Sequence, residues 1–179
     1  PAEHDAHVAD EVHRGTTRLG RSAIGERLAG FIYGTIIVLS VLVAGVRAFP
    51  GDAGRIAATV VVTSFVFWLA HVYSHGLSHS VALDEHLSLA ELGHIARREA
   101  SIVEAAVPPV AALLLGAFGV VSTSAAVWLA FGLGLAVLAA QGVIFARVER
   151  LRWPGTLLVV GANLALGAVL VALKVLVTH

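Results

Sequence analysis

Histidine is the residue type of this chain with the widest choice of chemistry, and three histidines follow one another at helical spacing. His71, His75 and His79 are four residues apart, so on an α-helix they share one face. Neutral imidazoles at this spacing can bind a transition-metal ion together. More metal-ligating side chains follow downstream, at Glu85, His86, Glu91 and His94. The sequence therefore predicts a candidate site for a divalent transition metal (Zn, Fe or Mn) among these seven residues.

Several familiar metal and redox centres are excluded by the same sequence. There is no H-E-x-x-H motif of zinc proteases and no adjacent histidine pair of the kind membrane di-iron enzymes use. The chain contains no cysteine, which excludes disulfides, thiolate metal sites and iron–sulfur ligation. A haem with two histidine ligands is not expected either, because no other apolar segment has a histidine at depth.

A second group of polar side chains lies inside long apolar segments. Each of the five predicted spans contains one such polar side chain, at a similar depth when residues are counted along each helix. These residues are Tyr33, His71, Glu104, Gln141 and Asn163. An ionisable group in hydrocarbon costs roughly 2.5–3.5 kcal/mol even on the most lenient scale. We therefore expect His71 and Glu104 to face one another, a partner or water, and an imidazole beside a carboxylate can share a proton near neutral pH.

Purely structural roles are also open to these polar side chains. Gln141 and Asn163 are favoured as interhelical hydrogen-bonding residues, Tyr33 can anchor at the membrane interface, and Glu104 can reach the headgroups. Ser40 continues the polar stripe of Tyr33 along the first apolar segment, and Ser64 continues that of His71 along the second.

The composition indicates an integral membrane protein of the all-α, multi-pass kind. Apolar residues make up 58% of the chain and charged residues 13%, against roughly 45–50% and about 25% in soluble domains. Zero formal net charge and the absence of a nucleic-acid-binding motif exclude nucleic acid as an expected partner. The dominance of arginine over lysine is typical of a GC-rich bacterial genome, which predicts a bacterial plasma membrane as the location.

The apolar segments predict five transmembrane helices. We expect a cytoplasmic polar tail at 1–22 and a transmembrane domain at 23–177, with an amphipathic cytoplasmic linker at 74–100. The prolines Pro108 and Pro109 predict that the third span is kinked or starts afresh there. The predicted spans are 23–48, 54–73, 101–121, 125–146 and 155–177.

The orientation follows from the basic residues. With the amino terminus inside and the carboxyl terminus outside, nine of the twelve basic residues are cytoplasmic, as the positive-inside rule requires. Only Arg47, Arg55 and Lys174 lie outside. Abundant glycine and alanine permit close contact between helices, so we expect a homo-oligomer, with a dimer as the default.

The topology also resembles a known family. Five spans, an acidic linker after the second span and the run Phe31-Ile32-Tyr33-Gly34 in the first span resemble the vacuolar iron transporters, which would imply export of a divalent metal. The chain departs from that family because its first predicted span has no aspartate and the chain has no methionine, and the transport path of that family relies on such residues. We therefore assign no family.

Three functional hypotheses follow. The first is a cation or proton-coupled transporter or channel, in which His71, His75 and Glu104 form a cytoplasm-facing site and Gln141 lies at the same depth. Tyr33, Ser40, Ser64 and Asn163 would line the path. The second is a membrane enzyme with a histidine-bound metal at the inner interface, which we favour less. The third is a non-catalytic subunit or scaffold that binds a cytoplasmic or membrane protein partner.

Overall fold

The computed structural model describes the backbone of residues 2–83 and 88–178, and the side chains of residues 24–78, 80 and 88–172. Within these ranges all regular structure is α-helical. The helices are α1 (Ala2–Ala48), α2 (Ala53–Leu83), α3 (Leu89–Arg98), α4 (Ser101–Glu104), α5 (Val107–Ala117), α6 (Thr123–Val148) and α7 (Trp153–Thr178).

Four of the described helices are long and apolar enough to cross a membrane. These stretches are Ile24–Ala48, Ala53–Ser78, Thr123–Val148 and Trp153–Ala172. A fifth span is present if Leu89–Glu104 and Val107–Ala117, which are bent by 50° at a short break, count as one crossing. The predicted all-α, multi-pass membrane fold is therefore confirmed, with four or five spans, while the direction of insertion stays a prediction.

Several helix bounds differ from the predicted spans and linker. α1 begins at Ala2, so the tail and the first span belong to one helix. α2 continues to Leu83, beyond the predicted end of the second span at residue 73. A hydropathy argument counts only the residues that cross hydrocarbon, whereas the helical backbone satisfies its own hydrogen bonds and continues past that boundary. Among the described residues of the predicted linker, only α3 is a separate helix.

α3 is an amphipathic helix with a strong start signal. Ser88 caps it, because the Ser88 hydroxyl accepts a hydrogen bond from the Glu91 amide while the Glu91 carboxylate accepts one from the Ser88 amide. This reciprocal arrangement is the capping box. None of the α3 side chains is buried, so the cap and a few polar contacts position this helix.

The break in the third predicted span precedes its prolines. α4 ends at Glu104, α5 begins at Val107, and Pro108 and Pro109 lie in the first turn of α5. A proline costs little there because the first amides of a helix have no intrahelical partner. The expected interruption is therefore present, and of the two expected forms it is the fresh start, because the prolines begin the second half of the broken helix.

α1 is the central helix of the bundle and packs against α2, α4, α6 and α7. Its buried side chains meet those of α2, α5 and α6 in one apolar core, which includes Leu39, Val60, Leu113 and Phe131. The turn between α1 and α2 places Gly51 at φ 83°, a conformation that glycine adopts without strain. Thr123, at the start of α6, donates a hydrogen bond of 3.2 Å to the Gly51 carbonyl. We call the end of the bundle that contains this turn the Gly51 end, and the opposite end the Glu26 end.

Candidate functional site

A partly enclosed cavity of about 280 Å³ lies at the Glu26 end of the bundle. Three parts of the chain bound it, namely the beginning of the apolar part of α1, the end of the apolar part of α2, and the junction of α3 with α4. Its walls combine ionisable side chains with small and apolar ones. The lining residues are Glu26, Ala29, Gly30, Tyr33, His71, His75, Arg98, Glu99 and Ile102.

His75 and Glu99 form a close polar contact in the wall of this cavity. The Nδ1 atom of His75 is 2.8 Å from Oε1 of Glu99. The Glu99 side chain is only 12% exposed and that of His75 is 54% exposed. Because an ionised carboxylate only accepts hydrogen bonds, Nδ1–H of His75 is the donor, in the neutral imidazole as well as in the imidazolium. A buried carboxylate is thus held against an imidazole that is half exposed at the surface of the helices.

His71 lies one turn earlier on α2, beside His75. Its Nδ1 atom is 3.0 Å from the Phe67 carbonyl oxygen, which can only accept, so the neutral imidazole carries its hydrogen on Nδ1 and has a lone pair on Nε2. The His71 ring is 5.0 Å from the Tyr33 ring and 6.2 Å from the His75 ring, centre to centre. Four groups able to carry protons therefore follow one another from Tyr33 to Glu99.

Two further ion pairs connect the short helices to α1. Arg98 forms an ion pair with Glu26, and Nη2 of Arg27 is 3.1 Å from Oε2 of Glu104. All four side chains are roughly half exposed or more, so the pairs add little stability in an aqueous surrounding. They do hold the α3–α4 segment against α1 at the cavity.

Of the alternatives expected for Glu104, which were His71, a partner or water, the structure shows a partner, because Glu104 pairs with Arg27. The carboxylate that pairs with a histidine is Glu99, which contacts His75. Glu104 does not line the cavity. Glu99 is the cap residue at the end of α3 and Glu104 is the last residue of α4, so the two carboxylates have different neighbours.

The remaining residues of the predicted path lie apart from the cavity. Ser40 lines a separate groove with Arg47 towards the Gly51 end, and its hydroxyl donates to the Ile36 carbonyl. Ser64 is buried, and neither its Oγ nor Oε1 of Gln141 has a hydrogen-bond partner among the described residues. Asn163 donates a hydrogen bond of 3.2 Å to the Leu138 carbonyl, which joins α7 to α6 as the interhelical alternative expects.

The predicted metal ligands are only partly within the described side chains. His71 and His75 line the cavity, Glu91 caps α3, and His94 is exposed on α3. The side chain of His79, together with Glu85 and His86, lies outside the described residues. Among the side chains that are described, no group of three histidine or carboxylate residues is arranged to hold a metal ion.

The sequence reasoning missed Glu99 and Arg98 as cavity residues. Both belong to the charged end of the predicted linker, where a solvated face is the ordinary interpretation. Glu26 carried a usable signal, because it stands seven residues before Tyr33 and therefore on nearly the same face of α1. For Glu99 no periodicity was available, since it reaches His75 only when the chain folds back after α2.

Trp68 also holds α3 in place. Its indole Nε1–H donates a hydrogen bond of 3.0 Å to the Ala96 carbonyl, and α3 has no buried side chain to keep it on α2. We expect Trp68→Phe to weaken the docking of α3 by about 1 kcal/mol, the usual value of one hydrogen bond. Because the chain has no native cysteine, a cysteine placed at Ile95 can report this by its rate of maleimide labelling, which should rise roughly fivefold.

The matched control is Trp153→Phe in the same cysteine background. Trp153 is 74% exposed at the start of α7, so its replacement should leave the labelling rate at Ile95 unchanged. Equal rates in the Trp68 and Trp153 variants would contradict the docking contact.

The fold and the cavity together define a multi-pass α-helical membrane protein with an ionisable cavity at one end of its bundle. No protein-family model, curated protein or solved structure matches the chain.

Proposed function

We propose that this membrane protein is a proton-coupled transporter or channel, in which the cavity at the Glu26 end is the ion-binding site. The observation that carries the proposal is the contact of the His75 imidazole with the buried Glu99 carboxylate. Imidazole changes charge between about pH 5 and 8, and ionisable residues within membrane spans are rare and mark ion pathways. His75 and Glu99 are the proton-binding pair, and His71 and Tyr33 extend the pathway towards the interior.

The proposed orientation places the cavity on the cytoplasmic side. The arginines Arg97 and Arg98 lie beside the cavity, and the positive-inside rule assigns such residues to the cytoplasm. In this orientation the inner end of the pathway opens to the cytoplasm through the exposed side of His75.

The membrane-enzyme alternative has less support. It needs a metal held by three or more protein ligands, and the described side chains, which do not include those of His79, Glu85 and His86, contain no such group. Transport requires only that protons bind and leave at a site with access to water, for which the exposed imidazole of His75 is suited.

The test is the dissipation of a pH gradient across liposomes that contain the purified full-length chain and an internal pH-sensitive dye. With potassium on both sides and valinomycin present, charge movement is compensated, so any protein-dependent proton pathway collapses the gradient. We expect the wild type to collapse it faster than empty liposomes do. His75→Ala and Glu99→Gln should each slow the collapse roughly tenfold or more, the range for loss of a positioned acid–base group.

His94→Ala is the matched control, since His94 is an exposed histidine on α3 and does not line the cavity. Its rate should equal that of the wild type. A wild-type rate no faster than that of empty liposomes, or equal rates in the wild type and both cavity variants, would contradict the proposed function.

A further inference from the structure

The break between α4 and α5 leaves backbone carbonyl oxygens without their usual hydrogen-bond partners. In a continuous helix the carbonyls of Glu104 and Ala105 would accept from the amides of the residues four positions later. Those residues are Pro108 and Pro109, which have no N–H. No other backbone amide of the described residues donates to the Ala105 carbonyl, and Ala105 is 1% exposed. The break therefore places an unpaired acceptor in the interior of the bundle.

A buried hydroxyl without a partner lies on the neighbouring helix α2. Ser64 is 1% exposed, and its Oγ has no hydrogen-bond partner among the described residues. Ser64 is near the middle of the apolar stretch Ala53–Ser78. A buried polar group is nearly always paired in folded proteins, so an unpaired one indicates an additional ligand.

The packing of α2 against α5 sets these two features at the same height along the bundle. At the Gly51 end, a Cβ atom built on Gly54 of α2 would lie 3.7 Å from the Cβ atom of Ala117 of α5. α2 begins at this end and α5 finishes there, and each helix rises about 1.5 Å per residue. Ser64 is ten residues from Gly54 and Val107 is ten residues from Ala117. Ser64 is therefore level with Val107, where α5 begins.

The buried core brings the same two features side by side. Ser64 follows Val60 by one turn on the same face of α2, and Val60 belongs to one apolar core with Ala106. From the other side, a Cβ atom at Gly34 would lie 3.1 Å from the Cβ atom of Ala105, so α1 closes the break. The Ser64 hydroxyl and the Ala105 carbonyl are thus buried beside the same core, near the middle of the apolar helices.

The chemistry of these oxygens favours a monovalent metal cation. A hydroxyl and backbone carbonyls are neutral ligands, whereas calcium and magnesium sites rely on carboxylates, and the Glu104 carboxylate is paired with Arg27. An anion is disfavoured because Pro108 and Pro109 remove two of the amides that the start of α5 would offer it. In membrane transporters, free carbonyls at the break of a discontinuous helix are ligands for sodium.

The cavity at the Glu26 end leads towards the break. Ile102 lines this cavity and lies one helical turn before Ala106. Tyr33 also lines it and precedes Gly34, which contacts α4. The wall of the cavity therefore comes within about one turn, roughly 5 Å, of the break, so an ion in the cavity has a short distance to travel.

We propose that the break between α4 and α5 binds one monovalent metal cation, sodium or potassium, through the Ala105 carbonyl and the Ser64 hydroxyl. The Glu104 carbonyl is a further ligand, and water from the cavity completes the coordination. This site goes beyond the proposed function, because it requires no movement of protons. The cation pairs with buried oxygens that the fold leaves unpaired, so its binding stabilises the folded chain.

The test is the thermal unfolding of the purified full-length chain in detergent, in chloride salts of equal ionic strength. The cations compared are sodium, potassium and N-methylglucamine, an organic cation too large for the break. We expect the unfolding midpoint to rise with the concentration of sodium or potassium, by roughly 5–10 °C at a hundred times the dissociation constant. With N-methylglucamine the midpoint should stay constant.

Two substitutions act on the proposed ligands. Ser64→Ala deletes the hydroxyl, and Pro109→Ala supplies an amide that can donate to the Ala105 carbonyl in place of the cation. Each should lower the apparent affinity for the metal cation roughly tenfold or more, the usual value of one interaction with a charged group. In N-methylglucamine, Ser64→Ala should unfold at the wild-type temperature or above it, because an unpaired buried hydroxyl has been removed.

Thr59→Val is the matched control, because it also removes a hydroxyl from α2 while the side chain keeps its shape. The Thr59 hydroxyl already donates a hydrogen bond of 2.8 Å to the Arg55 carbonyl, and it points about 140° away from Ser64 around the helix axis. This variant should keep the full response to sodium or potassium. Loss of the response in Thr59→Val and Ser64→Ala alike would contradict a site at Ser64.

The remaining outcomes separate the cation site from the proton pathway. Equal wild-type midpoints in all three salts overturn the cation site and indicate that water bridges the two oxygens, while the proposed proton pathway is unaffected. A full response retained in both Ser64→Ala and Pro109→Ala also overturns the site, because the ion then binds elsewhere. Absence of proton movement in the liposomes together with the expected response to salt contradicts only the proposed function. If a variant does not fold, the other variant and the salt dependence of the wild type decide.

Discussion

Phe131→Ala should cost the bundle about 2–4 kcal/mol of unfolding free energy, the largest effect on stability that we expect. Phe131 is 1% exposed and belongs to the core in which α1, α2, α5 and α6 meet. In water-soluble proteins Phe→Ala in a core costs about 3–5 kcal/mol, which combines a transfer term with a cavity term. In a membrane the transfer term shrinks because lipid is as apolar as the core, while the dispersion energy that the ring gains from its neighbours is still forfeited.

The measurement is unfolding in mixed micelles by titration with a denaturing detergent. Phe118→Ala is the matched control, because Phe118 follows α5 and is 79% exposed, and it should change the unfolding free energy by less than about 0.5 kcal/mol. Equal losses of unfolding free energy in the Phe131 and Phe118 variants would mean that Phe131 is not part of the packed core of the bundle.

Gly34→Ala should destabilise the protein by about 1–3 kcal/mol through overpacking. A Cβ atom at Gly34 would lie 2.7 Å from the Ile102 carbonyl oxygen and 2.9 Å from the Ile102 Cα. Both are backbone atoms of α4, so no side-chain rotation can make room, and α4 has to move away from α1. Since Ile102 lines the cavity and follows Glu99 closely, we also expect slower proton movement in the liposome assay.

Gly25→Ala controls for the general effect of removing a glycine from α1. No atom lies within 4 Å of a Cβ built at Gly25, and Gly→Ala within a helix is favourable by roughly 0.5–1 kcal/mol. The change in unfolding free energy should therefore have opposite signs in the Gly34 and Gly25 variants, when it is measured by the same detergent titration as for Phe131→Ala. Stabilisation by both substitutions would argue against the close contact of α1 with α4.

The membrane-spanning helices were predictable from the sequence because their length is set by the thickness of the bilayer. An uninterrupted apolar run long enough to cross hydrocarbon can satisfy its backbone only as a helix when it is isolated. The same argument failed at helix ends. α2 continues to Leu83, although the predicted apolar span ends at Tyr73. The more polar run after Tyr73 contains no proline that would end the helix.

The side-chain pairing of the cavity was not predictable in the same way. Counting residues gives the depth of Glu104 in the membrane but not the direction in which its side chain points. The break at Ala105 and Ala106 and the return of the chain through α3 decide that direction, and both are tertiary features. His71, His75 and Tyr33 were identified because they lie on regular helical faces, whereas Glu99 is the cap residue of a short helix whose position depends on the fold.

The end of α3 borders the cavity through Arg98, yet none of the α3 side chains is buried. Its contribution to the core is correspondingly small, and the four long helices do not depend on it for their packing. Substitutions on α3 can therefore change the width and charge of the cavity entrance at little cost to folding. Access to the site and the integrity of the bundle are two properties that sequence variation can adjust separately in this architecture.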